Sequence, residues 1–148
     1  MTVVAALRRA YSCCYLLLGA SVSVLTTCTA PPYRWQTSAG PWQVSKYRVV
    51  AERHKPEQVP QGGLLRVRVF DWLSLDPLPG AQFTITETQT HTELKGTTSE
   101  TGGITQSLAP GLYTLKVNSI EYYELQTKPF VLRQGYVLRL DVSLGCDI

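Results

Sequence analysis

Four stretches in the second half of the chain alternate apolar and polar residues with a period of two. Leu65, Val67 and Val69 alternate with Arg66, Arg68 and Phe70, and Phe83 and Ile85 with Gln82, Thr84 and Thr86. Tyr113, Leu115 and Val117 alternate with Thr114, Lys116 and Asn118. The last run sets Tyr136, Leu138, Leu140, Val142 and Leu144 against Val137, Arg139, Asp141 and Ser143. Successive side chains of a strand point to opposite faces, so each run predicts a strand with one buried and one wet face. No window carries a helical stripe. Turn residues separate the runs: Asp76-Pro77-Leu78-Pro79-Gly80, Glu100-Thr101-Gly102-Gly103, Ala109-Pro110-Gly111 and Gln134-Gly135. Short strands at this spacing predict an all-β, antiparallel sandwich over residues 64–148. A domain of this size buries about 60% of its unfolded surface, enough for a core without disulfides.

The same residues carry a resemblance. Val67-Arg68-Val69-Phe70-Asp71 followed by Pro77-Leu78-Pro79-Gly80-Ala81 resembles the opening of the carboxypeptidase regulatory-like domain. Gly96-Thr97-Thr98 with Gly102-Gly103-Ile104 is similar to that family's "G-T-x-T-D-x-x-G-x-F" hairpin. Ala109-Pro110-Gly111-Leu112-Tyr113-Thr114-Leu115 resembles its "P-G-x-Y-x-L" turn and strand, and Ile120-Glu121-Tyr122 stands where the family often has "I-G-Y". The resemblance runs from residue 64 to about 144. It implies a seven-stranded prealbumin-like sandwich, related to immunoglobulin-like domains, without catalytic activity and often carried by exported bacterial proteins. Three residues depart from the pattern: Ser99 replaces an Asp, Ile104 an aromatic residue and Glu121 a Gly. The first departure predicts a hairpin without its carboxylate tie. Gly80, Gly102 and Gly111, with Pro110, are the expected turn formers, and Tyr113 is expected to bury its ring and place its hydroxyl on a partner near the sheet end.

Residues 1–27 read as an export signal. Arg8 and Arg9 precede 16 uncharged residues, Ala10 to Leu25. That run is short of the roughly 20 needed for a transmembrane helix and close to a signal-peptide core. Cleavage after Ala30 would leave Pro31 behind the scissile bond. The alternative, Leu25-Thr26-Thr27-Cys28, resembles a bacterial lipobox, with Thr27 where Gly or Ala is usual. That resemblance implies a mature chain beginning at a lipidated Cys28. Two or three acyl chains, at about 0.8 kcal/mol per buried CH₂, make a stable membrane anchor. An uncleaved anchor helix is the other reading, and both place the rest of the chain outside the cytosol. Cys13 and Cys14 leave with the signal, so Cys146 has no internal disulfide partner.

Residues 28–63 hold five of the nine prolines and read as a spacer. Within it, Trp42 to Lys55 suits a strand or a short helix, since Val44, Tyr47, Val49 and Val50 fit neither period cleanly, and it is read as spacer with one possible added strand. Trp35 and Trp42, flanked by basic residues, suit either a membrane interface or packing against the following domain.

Without Arg8 and Arg9 the chain carries 12 Lys and Arg against 11 Asp and Glu. That balance excludes polyanion binding, and with it nucleic acid, as the main business. No catalytic, cofactor-binding or metal residues are assigned. There is no His-Glu-x-x-His, phosphate-loop or nucleophile-elbow motif. His91 reads as a loop residue and Glu87, Glu93 and Glu100 as separate surface carboxylates, unless their loops converge on a cation. The residues thus point to a non-enzymatic, membrane-anchored envelope lipoprotein. Its sandwich would meet a protein or glycan through exposed loops such as 86–96. The alternatives are a small metal-dependent enzyme built on His91, or an accessory subunit of a separately encoded peptidase or receptor.

Overall fold

The computed structural model describes residues 34–39 and 44–146. Cys13, Cys14, Cys28 and Trp42 lie outside them. The described residues form ten strands and no helix: β1 (Gln36–Thr37), β2 (Lys46–His54), β3 (Gly63–Asp71), β4 (Gln82–Glu87), β5 (Glu93–Thr97), β6 (Gly103–Leu108), β7 (Gly111–Asn118), β8 (Leu125–Gln126), β9 (Phe130–Leu132) and β10 (Tyr136–Leu144). Seven of these have five residues or more and make the sandwich; the other three are short edge pieces. One sheet runs β1-β2-β10-β3-β6 and the other β5-β4-β7-β8, with β9 also on β7.

Where β3, β4 and β7 alternate in sequence, they alternate in burial, except at Phe70, which is expected on the wet face of β3 but is buried on the outer face of its sheet, where Trp35 packs on it. Leu65, Val69, Leu115 and Val117 are fully buried and Phe83, Ile85 and Tyr113 nearly so, all in one core between the sheets. Ile104 fills its core position in place of an aromatic ring. Buried polar groups tie the layers together. Thr98 Oγ1 donates to the Leu78 carbonyl and accepts from Ala81 N–H. Ser45 Oγ donates to the Tyr123 carbonyl and accepts from Gly145 N–H. Pairing such groups avoids the cost of about 1–3 kcal/mol for each buried polar atom left unsatisfied.

Three expectations change. The antiparallel pattern has a parallel exception, β10 beside β3 with Asp141 opposite Arg68, because the last strand inserts between β2 and β3 and aligns antiparallel to β2. The outer face of β10 is wet only at Arg139: Val137, Asp141 and Ser143 are buried there, since strands flank β10 on both sides and the Arg48 and Arg68 side chains reach over it to Asp141. The spacer over 28–63 holds the possible strand as a nine-residue one, β2, hydrogen-bonded along β10. Residues 46–54 therefore belong to the sandwich, and its edge lies upstream of residue 64. The two-residue period is broken there by a register shift opposite Arg139 and Leu140, which pairs Ala51 and then Val49 and skips Val50.

Candidate functional site

The topology gives the sandwich two ends. At one, β3 and β10 finish, β2 starts, and the loops after β3, β5 and β7 gather. Tyr123 N–H donates to the Gly145 carbonyl across the two sheets there. At the other end lie the β4–β5 hairpin, the β6–β7 turn and the start of β10.

Each end carries the same turn, built from different residues. At the first, Asp71 N–H donates to the Asp76 carbonyl and Leu75 N–H to the Asp71 carbonyl. Asp71 Oδ1 accepts from Leu73 and Ser74 N–H at 2.7 Å each, and Ser74 Oγ accepts from Asp76 N–H. At the second, Glu87 N–H donates to the Thr92 carbonyl and His91 N–H to the Glu87 carbonyl. A Glu87 carboxylate oxygen accepts from Thr90 N–H, and Thr90 Oγ1 accepts from Thr92 N–H. Both turns put their fifth residue in the left-handed region, Leu75 at φ 64° and His91 at φ 57°. Hydrogen bonds from Ser74 N–H first, and then from the Tyr122 hydroxyl and Leu73 N–H, hold the Asp71 carboxyl below its ordinary range despite some opposing desolvation. The same Asp71 contact, with burial, pushes Tyr122 up to about 12. Glu87 is also lowered, first by the Thr90 hydroxyl and then by Thr90 N–H.

The contents of the two turns differ. Trp72, Leu73 and Leu75 are exposed at 45%, 67% and 69%. Val44 and Ile120 stand exposed at the same end, which thus holds five of the eight exposed large apolar residues among the described residues. Beside it, on the outer face of the first sheet, Arg48, Asp141 and Arg68 lie directly opposite one another on β2, β10 and β3. Asp141 Oδ2 accepts from Arg48 at 3.0 Å and Arg68 at 3.2 Å. Arg48 lies 4.6 Å from the Trp35 ring, Arg68 5.7 Å from Phe70 and Lys46 4.9 Å from Trp72. Trp35 meets Phe70 edge to face at 6.1 Å and so packs on the domain. Trp35, Arg48, Arg68 and Phe70, with Leu75 and Pro77, border a groove of about 600 Å³. Arg66, Arg68 and Phe70 read as one strand face in the sequence; the partners on β2 and β10 were not legible there.

At the opposite end a hollow of about 430 Å³ has an apolar floor of Leu94, Leu108, Pro110 and Tyr113 and a polar rim of Glu87, Gln89, Thr90 and Thr92. The Tyr113 ring is buried and its hydroxyl donates to the Ala109 carbonyl at 2.8 Å. Pro110 sits in the two-residue connection before Gly111, and a Cβ at Gly111 would come within 3.2 Å of the Tyr113 ring. Gly111 is thus constrained by packing rather than by φ. Gly80 and Gly102 have φ of 70° and 68°, but only Gly102 is walled in, by the Val69 carbonyl oxygen at 2.3 Å from its ideal Cβ. The hairpin tie expected to be missing is made by a hydroxyl: Ser99 Oγ accepts from Gly103 N–H at 3.0 Å. Glu121, at the usual Gly position, adopts φ 69°.

The carboxylates and His91 do not converge. Glu87 braces the turn that carries His91, Glu93 pairs with Lys95 at 2.8 Å, and Glu100 lies at the opposite end, in the loop after β5. Among the described residues, no group of three or more His, Cys, Asp or Glu could hold a metal ion.

Two sheets closed over one apolar core, with their variety confined to loops, define a prealbumin-like, immunoglobulin-like sandwich. The family model described as carboxypeptidase regulatory-like domain matches residues 65–145, more than half of the chain, and the chain belongs to that family. The TIE protein of Bacillus anthracis is similar at 27% identity with a TM-score of 0.51, over 58% of this chain and 17% of that one. The chain therefore spans about a sixth of that protein's length. The pilus adhesin RrgA of Streptococcus pneumoniae is 20% identical with a TM-score of 0.45, over 60% of this chain and 15% of that one. The pilus 2b backbone protein of group B streptococcus is 14% identical with a TM-score of 0.47, over 75% and 53%. No curated protein matches the chain.

Proposed function

We propose that the chain is an exported, non-enzymatic envelope protein, lipid-anchored at Cys28, that displays its sandwich as a binding module for a protein or glycan. The observation that carries this reading is the hollow over Tyr113. An apolar floor ringed by hydroxyl, amide and carboxylate groups suits a partner that offers both a flat apolar face and hydrogen-bonding groups. The braced turn at 87–92 holds that rim in place, which lowers the ordering cost of binding. The adhesin and pilus names belong to those proteins; they accord with a surface role for this one.

Two measurements test it. Cys28→Ala is expected to move the protein out of the membrane fraction or leave it as an unprocessed precursor. Unchanged membrane retention with a mature-length N-terminus overturns the anchor. Capture of envelope glycans and proteins by the chain is expected to fall at least tenfold in Thr90→Lys, which crowds the hollow. Capture that is indifferent to Thr90→Lys overturns the assignment of the binding surface.

A further inference from the structure

Trp72, Leu73 and Leu75 are not side chains that a mobile loop could turn inward. Two backbone bonds and the Asp71 carboxylate fix the turn with these residues outward, and Trp72 N–H is itself bonded to the Leu144 carbonyl. A soluble domain gains nothing from holding three large apolar groups rigidly in water. We propose that this end of the sandwich docks on a phospholipid bilayer, with Trp72, Leu73 and Leu75 inserted among the headgroups. Lys46 and Arg68 then lie level with the phosphates.

Two features name the occupant. The first is residue type: tryptophan and leucine beside Lys and Arg match the polarity gradient of a membrane interface, apolar inward and cationic at the phosphates. The Arg68 side chain is 63% exposed and borders the groove next to Leu75, so a lipid phosphate can reach the donors that Asp141 leaves free. The second is reach, and here the inference rests on the reading of Cys28 as the anchor. Six residues lie between Cys28 and Trp35, and the seven residue steps of that chain extend at most about 25 Å. Trp35 precedes β1 and packs on Phe70, next to the apolar end. The anchor therefore holds that end near the lipid, with the hollow over Tyr113 directed away. Asp76, Glu100 and Glu121 also lie at this end, so apolar insertion, not net charge, drives the contact.

The test uses the full chain purified from bacterial membranes and reconstituted in phosphatidylcholine/phosphatidylglycerol vesicles whose acyl chains carry bromine near the headgroup. Tryptophan emission is expected to be quenched, with at least half of the quenching lost in Trp72→Phe and little lost in Trp42→Phe. Leu73→Ser/Leu75→Ser is expected to cut quenching at least twofold, and phosphatidylcholine alone to preserve it. No quenching, or quenching that survives Trp72→Phe, overturns the proposal. So does a Trp72 shielded from lipid by a co-purified protein. Flotation separates the two readings. Vesicle-bound protein with an unquenched Trp72 overturns docking and leaves the anchor intact. A Cys28→Ala chain that still floats with Trp72 quenched removes the anchor and supports docking.

Discussion

Asp71–Asp76 and Glu87–Thr92 are one turn built twice. Each begins with a carboxylate that accepts an N–H three residues on, places a hydroxyl at the fourth position, and bends the fifth residue to positive φ. Their exposed contents are opposite: Trp72, Leu73 and Leu75 in one, Gln89, Thr90 and His91 in the other. Local hydrogen bonding decides the backbone, and the surroundings of each end decide what the turn displays. The comparison teaches that the apolar turn is not a folding requirement. The polar one solves the same geometric problem without a single large apolar side chain.

The largest expected effect concerns how tightly each end is walled. Gly102→Val should cost about 3 kcal/mol or more, because it adds a backbone clash to a strained φ. Gly111→Ala at the opposite end meets only a ring edge and should cost about 1 kcal/mol or less. Urea unfolding measures both, and equal costs would break the contrast. Next is the brace itself. Asp71→Ala removes two N–H partners and the Tyr122 contact and should cost about 1 kcal/mol; Glu87→Ala should cost less. The Asp71 carboxyl lies below its ordinary value of 3.8. Its contribution is therefore present above that value and is lost as the pH falls through the lower folded one. Amide exchange at Leu73 and Ser74 should quicken below about pH 4 in the native protein but show no such dependence in Asp71→Asn. The smallest effect sharpens the likeness. Leu75→Gly and His91→Gly each relieve a left-handed residue and should each raise stability by up to about 1 kcal/mol. A thermal melt in which one stabilises and the other destabilises would show that the two turns are not equivalent.

Much of this was legible in the sequence and some was not, for specific reasons. β3, β4 and β7 each pair one core face with one largely open face, Phe70 under Trp35 excepted, so their alternation is visible. β10 was read as a strand, but the burial of Asp141 and Ser143 on its outer face was not, because both look like solvent residues until the flanking strands, with Arg48 and Arg68, are seen beside them. β2 was hidden by its register shift at Val50. The turn at 72–75 was hidden because Trp-Leu-Ser-Leu reads as apolar chain running on from β3. The likeness between the turns rests only on an acid, then a hydroxyl residue three positions later, too little to find by inspection. Ser99 shows the converse: the expected carboxylate was absent, and a hydroxyl at the same place makes the bond.

The position of β10 bears on how such a chain is made. The last strand among the described residues is the central one in its sheet, and without it β2 and β3 have no common neighbour. Residues up to about 135 can leave the ribosome with half of the molecule still unable to close. The nine-residue β10 therefore works as a latch: the first sheet shuts only when this segment slides between β2 and β3.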